Sequence, residues 1–464
     1  MKKTNLKATF LFLTFAVIAC MCFTSCGVMR FFVDFESGAP AATEESLVPE
    51  ETGGFMDSTE KVDEILTEEN DNSSNDEEII DDVIPPQNTA DNTESDEKKE
   101  VIQQITVVEN NITVEGTQSN VAYAAAAGIR SAVSIYANFS AGTSSGSGVI
   151  YELDAENGSA FIVTNYHVVY YSGGYYQGTI SSDIDVYLYG MEYDKYTIPA
   201  QYIGGSANYD IAVLYVENND ILKKAAASGS IVAASFANSD DVIPGQTAIA
   251  IGNAQSFGIS VTSGIISVPS EYIRLTAVDG RSQVDFRVIR VDTAINSGKS
   301  GGGLFNDSGK LIGIVNAKIS RTDVENIAYA IPSAVVKGVA DNIIHYCYGT
   351  SKTRVMRAVI GIGMDTSEIT TTYDTDKAVI SIVETLKVSS VTAESIADGK
   401  LAVGDVINSI TIGQKTVKVT RLHHIIDALL DARVGDAVTI NVTGAEGQAR
   451  AVVLVITEEC LTEY

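Results

Sequence analysis

The stretch Asp292-Thr293-Ala294-Ile295-Asn296-Ser297-Gly298-Lys299-Ser300-Gly301-Gly302-Gly303 sets a serine among glycines, directly after the apolar run Arg287–Val291. A nucleophilic serine needs an exposed, tightly turned backbone whose neighbouring N–H groups converge on a developing oxyanion. Glycines permit such a turn because they accept positive φ and close approach. The N–H groups of Gly298 and Ser300 are the candidate oxyanion donors. A glycine-rich turn between strands is an equally ordinary loop, so Ser300 requires partners.

The partners lie upstream. Of four histidines in the chain, His167 is the only one before Ser300. It stands in Thr164-Asn165-Tyr166-His167-Val168-Val169, after the apolar run Ala160–Thr164, and imidazole suits a base working near neutral pH. Asp210 opens Asp210-Ile211-Ala212-Val213-Leu214 and can fix the tautomer of a neighbouring histidine. Asp183, Asp185 and Asp194 compete by position, but none leads so apolar a run. The order His, Asp, Ser matches the chymotrypsin arrangement and neither the subtilisin nor the α/β-hydrolase order.

Short apolar runs divided by Gly, Ser, Asn and Asp surround these residues. They include Val133–Phe139, Gly148–Leu153, Asp185–Tyr189, Ile211–Val216, Ala248–Ile251 and Leu311–Val315. This spacing predicts a mainly β architecture, a barrel or sandwich. Residues 121–130 are Ala-rich and read as a helix. A boundary is expected at 350–354, followed by a smaller unit with strands, a helical segment at His423–Leu430 and a last strand at Ala449–Val455.

Residues 121–345 resemble the protease domain of the HtrA (DegP-like) family of trypsin-like serine proteases. The resemblance rests on seven blocks in family order. They are Gly146-Ser-Gly-Val-Ile, Thr164-Asn-Tyr-His-Val, Asp210-Ile-Ala-Val-Leu, Ile251-Gly-Asn, Val261-Thr-Ser-Gly-Ile-Ile-Ser, Asp292-Thr-Ala-Ile-Asn-Ser-Gly-Lys-Ser-Gly-Gly and Tyr329-Ala-Ile-Pro332. It implies a chymotrypsin-like double β-barrel with the site in the crevice between barrels. It also implies a catalytic triad of His167, Asp210 and Ser300, and proteolysis of unfolded or misfolded exported proteins. No metal or organic cofactor is expected, because nucleophile, base and oxyanion donors are all protein groups. By the family layout, Ala294, Ile295, Asn316, Ala317 and Lys318 line the specificity pocket. No aspartate stands where a trypsin-type pocket would hold Lys or Arg, which implies a small or medium aliphatic residue at the cleaved position. Family members are usually trimers, so a homo-oligomer is implied. Two positions depart from the pattern: Lys299 replaces the usual Asn or Asp, and Gly303 the usual Pro.

Residues 355–458 resemble the PDZ domain, a small α+β fold, that follows the protease in this family. Val359-Ile360-Gly361-Ile362 matches the carboxylate-binding loop, and Gly404-Asp-Val-Ile407 and Val434-Gly-Asp436 match later turns. Such a domain adds a C-terminal peptide as a strand at a sheet edge. Ser389–Gly399 replaces the usual Ser-Pro-Ala and Ala-Gly-Leu stretch, so the groove is expected to differ in shape.

The N-terminal hundred residues have a different composition. Residues 1–26 read as an export signal: Lys2, Lys3 and Lys7, an apolar run, then Phe23-Thr-Ser-Cys26, which resembles a bacterial lipobox. Cys20 is an alternative acylation site and an uncleaved membrane anchor a third reading. All three readings place the folded domains outside the cytoplasm, attached to the cell membrane. Residues 27–100 form an acidic linker. Between Asp34 and Glu100 there are 23 acidic and 3 basic residues, most of the excess behind the chain's formal charge of −29. Such a segment cannot bury enough apolar surface to fold and reads as a tether spanning roughly 45 Å. The remainder is only mildly acidic, which argues against nucleic-acid binding. The protease domain is assigned to residues 101–350. Cys347 and Cys460 show no metal-binding spacing and read as incidental thiols.

Overall fold

The computed structural model describes backbone at 105–108 and 111–114, and residues 120–173, 177–192, 194–317, 327–375 and 379–464. The export signal, Cys20, Cys26, the acidic linker and Lys318 lie outside the described residues. No described helix is long and apolar enough to cross a membrane.

The architecture is mainly β. Helix α1 (Asn120–Ile129) leads into six strands: β1 (Ala132–Phe139), β2 (Gly142–Asp154), β3 (Ser159–Thr164), β4 (Asp183–Leu188), β5 (Ile198–Ser206) and β6 (Ile211–Val216). They close into a barrel in the order β6-β3-β2-β1-β4-β5. A second six follows: β7 (Thr247–Asn253), β8 (Ile259–Thr276), β9 (Gln283–Val291), β10 (Gly303–Phe305), β11 (Leu311–Asn316) and β12 (Ala328–Pro332). They close in the order β7-β8-β9-β12-β11-β10.

Sequence pattern tells which strand faces what. Asp183-Ile-Asp-Val-Tyr-Leu188 alternates, and its Ile184, Val186 and Leu188 are buried while the aspartates face outward. Ile211-Ala-Val-Leu-Tyr-Val216 is apolar throughout, and all but Tyr215 are buried. Its two faces serve different cores. Ala212, Leu214 and Val216 fill the first barrel. Ile211 and Val213 join a cluster shared with Ile249 and Ile251 of β7 and with Val336, Val339 and Ile343 of the following helix. Continuous apolar runs therefore mark the strands buried on both faces.

Helix α2 (Tyr166–Val169) is a single turn and carries His167. Helix α3 (Ser333–Cys347) runs from the second barrel to the smaller C-terminal unit. That unit contains β13 (Met356–Ala358), β14 (Ile362–Asp374), β15 (Val379–Val391), β16 (Val406–Ile412), β17 (Lys415–Lys418), helix α4 (Leu422–Leu430), β18 (Ala437–Thr443), β19 (Ala449–Val455) and β20 (Leu461–Glu463). Its sheet order is β14-β15-β16-β18-β19, with β17 on β16 and a separate β13-β20 pair. Its own core includes Leu386, Ile407, Ile410, Ile425, Ile440 and Leu454.

The two parts meet through hydrogen-bonded and ion-paired polar groups. Buried Asn342 donates to Met356 O at 2.9 Å and accepts from Met356 N–H at 2.8 Å. Arg287 of β9, its side chain 5% exposed, pairs with Asp240 at 2.5 Å and with Asp427 of α4. Its Nε donates to Ser270 Oγ at 3.1 Å. Burial pushes the Asp427 carboxyl up to about 6. This carboxyl therefore favours the folded state below its unfolded value of 3.8 and loses that contribution as pH rises through about 6. Arg287→Ala leaves two carboxylates facing each other without their cation. It is expected to destabilise the chain by about 3 to 5 kcal/mol, measured as a lower urea midpoint at pH 7.

Cys347 and Cys460 are both buried and free. Burial pushes the Cys347 thiol up to about 11, so it is unreactive near neutral pH.

Candidate active site

Asp210 lies at the tip of the β5–β6 turn with φ of 48°, a left-handed conformation uncommon for a residue with a side chain. The polar groups around it hold it there. His167 N–H donates to Oδ1 at 2.9 Å, and His167 Nδ1 lies 2.7 Å from Oδ2. Asn316 Nδ2 donates to Oδ2 at 2.7 Å, and Asn165 Nδ2 to the Asp210 carbonyl at 2.8 Å. A carboxylate has only acceptors, so the short contact places the imidazole proton on Nδ1. Nε2 is then the ring's basic atom. Asp210 is 4% exposed, whereas the His167 side chain keeps 16% exposure.

Ser300 belongs to the turn between β9 and β10 and is 5% exposed. Its Oγ accepts from Ala317 N–H at 3.2 Å. The turn is fastened to the first barrel by Ser147 of β2. Ser147 N–H donates to Ser300 O at 2.8 Å, and Ser147 Oγ to Gly298 O at 2.8 Å. Ser147 Oγ also accepts from Asn253 N–H at 2.7 Å, while Thr164 Oγ1 donates to Ser147 O at 2.7 Å. One strand of the first barrel thus carries the turn of the second, beside the turn that carries His167.

Two glycines in this turn are conformationally required. Gly298 has φ of 90° and Gly301 of 85°. A methyl at Gly298 would lie 2.3 Å from Asn253 O, and at Gly301 2.1 Å from Ser147 O. With Gly298 in this conformation, its N–H and that of Ser300 have no backbone acceptor among the described residues. Gly298→Ala is expected to displace the turn and lower kcat about 100-fold while the far-ultraviolet circular dichroism stays unchanged. Steady-state kinetics on a fluorogenic peptide measures it.

Ala294 is exposed, and Ile295 is half-buried against the second barrel's core. Ala317 adjoins Ser300 through its N–H. Asn316, expected as a pocket wall, is fully buried with its amide on Asp210; its side chain orients the carboxylate. Ser147, Thr164, Asn165 and Asn253 are positioning groups that the sequence reading did not single out. Each lies inside a quoted block, but only the folded register reveals its partner. Gly303 abuts the ring of its neighbour Phe305, which a Cβ would approach to 2.3 Å.

In the C-terminal unit, Ile360, Gly361 and Ile362 come together with Met364, Ile425 and Leu429 around a narrow groove between β14 and α4. Gly361 has φ of 83°.

One described cluster has the composition of a metal site. Ligand atoms of Asp240, His423 and His424 lie within 4.8 Å of one another. Arg287 already pairs with Asp240, and His424 Nδ1 accepts from Thr420 N–H at 3.2 Å, which leaves the ring proton on Nε2. That wiring belongs to the ion-pair interface rather than to a cation site.

Residues 146–314 match the model of the trypsin-like peptidase domain family, a span that lies within the two barrels and includes the paired His167 and Asp210. The chain is similar to the serine protease Do-like HtrA of Bacillus subtilis, 32% identical over 304 residues, covering 64% of this chain and 60% of that protein. It is also 34% identical over 204 residues to the periplasmic serine endoprotease DegP of Escherichia coli, covering 43% and 36%. Among solved structures it matches the HtrA-type protease AlgW with tripeptide, at 25% identity and a TM-score of 0.47, over 75% of this chain and 98% of that one. The chain spans less than two thirds of these curated relatives. Both curated relatives are named as serine proteases.

Proposed function

We propose that this chain is an extracytoplasmic serine endopeptidase that cleaves unfolded or regulatory exported proteins, tethered to the membrane by its N-terminal segment. His167, Asp210 and Ser300 are its triad, and Gly298 and Ser300 its oxyanion donors. The observation that carries this reading is the three-donor grip on the Asp210 carboxylate. It fixes the His167 proton on Nδ1 and leaves Nε2 as the base. Ser300 Oγ attacks the scissile carbonyl as Nε2 takes its proton, and the Gly298 and Ser300 N–H groups receive the oxyanion. The imidazolium then gives its proton to the leaving amine. Water repeats the sequence on the acyl-enzyme.

Ser300 Oγ is held by Ala317 N–H in this structure. That bond uses an acceptor lone pair of the hydroxyl, which leaves its proton available to His167. Ala294, Ile295, Ala317 and Lys318 line the specificity pocket and favour small or medium aliphatic residues. Residues 101–350 constitute the protease domain, and 355–458 a PDZ domain in which Ile360, Gly361 and Ile362 capture a peptide carboxylate. Residues 1–26 are the export signal, with Cys26 or Cys20 acylated, and 27–100 the tether. The periplasmic setting named for DegP of Escherichia coli supports export, and a homo-oligomer, a trimer by family resemblance, is proposed.

The substrate class is tested by incubating the protein with an unfolded casein-type chain and with a compact, stably folded protein. Cleavage of the first and sparing of the second supports the reading. Peptides ending only in Lys or Arg would overturn the aliphatic pocket, and no cleavage of either would overturn the endopeptidase.

A further inference from the structure

Lys299, next to the nucleophile, is among the largest fully buried side chains of the described residues, at 1% exposure. Lysine is almost never buried so completely without a carboxylate partner. Among the described residues Lys299 makes no ion pair, and burial alone pushes its ammonium down to about 8. Its Nζ donates to Thr262 Oγ1 of β8 at 2.7 Å. The same hydroxyl donates to Ala294 O at 2.8 Å. A hydroxyl can accept one bond while donating another, so the relay runs Lys299 Nζ–H to Thr262 Oγ1–H to Ala294 O. It joins the two ends of the segment 294–299 to one strand of the second barrel. The segment's middle is closed by Lys299 N–H on Asn296 O at 3.1 Å.

This segment has two duties under the endopeptidase reading. It offers Ala294 and Ile295 to the substrate side chain, and it presents the Gly298 and Ser300 N–H groups to the oxyanion. Donors placed even about 1 Å wrongly can lose a hundredfold in rate. A buried, desolvated cation is a costly way to fasten a loop, and a methionine would fill the space more cheaply. We propose that Lys299 is a positioning residue for peptide-bond hydrolysis, bracing the Ala294–Ser300 segment through Thr262 so that pocket wall and oxyanion donors share one geometry. The proposal rests on the endopeptidase reading for its kinetic consequences, but the brace itself is a property of the fold.

Charge gives the brace a pH signature. Among the described residues burial is the single influence on the Lys299 ammonium, and its hydrogen-bonded side-chain partner, the Thr262 hydroxyl, does not titrate near neutrality. The ammonium donates a charge-assisted bond, which is the stronger kind, and loses its charge as pH rises through about 8. Turnover is therefore expected to fall on that alkaline limb. Stability moves the other way. Between about 8 and the unfolded value of 10.5 the unfolded chain binds more protons than the folded one, so the fold gains stability as pH rises through this interval.

The test compares the full chain with Lys299→Met, Thr262→Val and Thr262→Ser. Amide hydrogen exchange of the 294–303 segment is followed at pH 7, together with kcat, KM and Tm. Lys299→Met and Thr262→Val are expected to speed exchange in this segment. They lower kcat roughly 10- to 100-fold with little change in KM. Lys299→Met also abolishes the limb near pH 8 and leaves Tm equal or higher. Thr262→Ser, which keeps the hydroxyl, retains wild-type exchange and turnover. Unchanged exchange in both disrupting variants would overturn the brace, whatever the enzyme does. Faster exchange in a chain whose wild type cleaves nothing would keep the brace and discard the endopeptidase reading.

Discussion

Ser300→Ala is expected to lower kcat by about a millionfold on a peptide or unfolded protein, leaving KM and Tm within a small margin of wild type. A triad serine that acts as a unit with its base shows losses on that order. The structure gives the reason the fold survives. Among the described residues Ser300 contributes its backbone carbonyl to Ser147 N–H and its Oγ to Ala317 N–H. Removing the hydroxyl leaves one near-surface amide short of an acceptor, a loss of about 1 kcal/mol. Activity measured over several hours with purified protein, beside Tm by calorimetry, separates the two quantities. A variant that keeps a tenth of wild-type turnover would mean that another group is the nucleophile.

Asp210→Asn carries the second large effect, about 10⁴-fold in kcat. The carboxylate accepts from His167 N–H, His167 Nδ1–H and Asn316 Nδ2. An amide supplies one oxygen and one NH₂ group in the same space, so at least one of these donors meets another donor. If the new NH₂ faces His167, the ring must turn its proton to Nε2, where it can no longer receive the serine proton. The left-handed backbone at φ 48° suits asparagine as well as aspartate, so the defect is expected in the tautomer and not in the fold. Proton NMR of the His167 ring checks it: the low-field Nδ1–H resonance of the wild type is lost in the variant.

The sequence carried several strands because burial and pattern agree there. Ile211–Val216 and Ala449–Val455 are strands with the residue limits their apolar runs suggest. The Ala-rich 121–130 segment is a helix from Asn120 to Ile129. Other strands run beyond their apolar centres. Gly142–Asp154 begins with Gly-Thr-Ser-Ser, which is polar because this end of β2 is exposed. Helix Ser333–Cys347 was not legible, since Val335, Val336, Val339, Ala340 and Ile343 read equally as a strand-rich apolar stretch. The exposed hairpin of β14 and β15 pairs Ile369, Tyr373 and Ile380 with solvent on both sides, so no alternation announced it.

At the site, residue type and strand context pointed to His167, Asp210 and Ser300, because each chemical role admits few side chains, and the structure sets the His167 ring against the Asp210 carboxylate. The groups that hold them were hidden. Ser147, Asn165 and Asn316 act through partners 151, 45 and 106 residues away, and a small polar side chain gives no sign of a distant partner. Lys299 stood out only as a departure. Its meaning came from the burial of its ammonium and from Thr262, a threonine with nothing in its own surroundings to mark it.

Reaction with a fluorophosphonate followed by peptide mapping tests the account most directly, because the reagent modifies a serine only where an adjacent base and an oxyanion site activate it. The account predicts one adduct per chain, on the peptide carrying Ser300, and none in His167→Ala. An unmodified chain, or an adduct on any other serine, would contradict it.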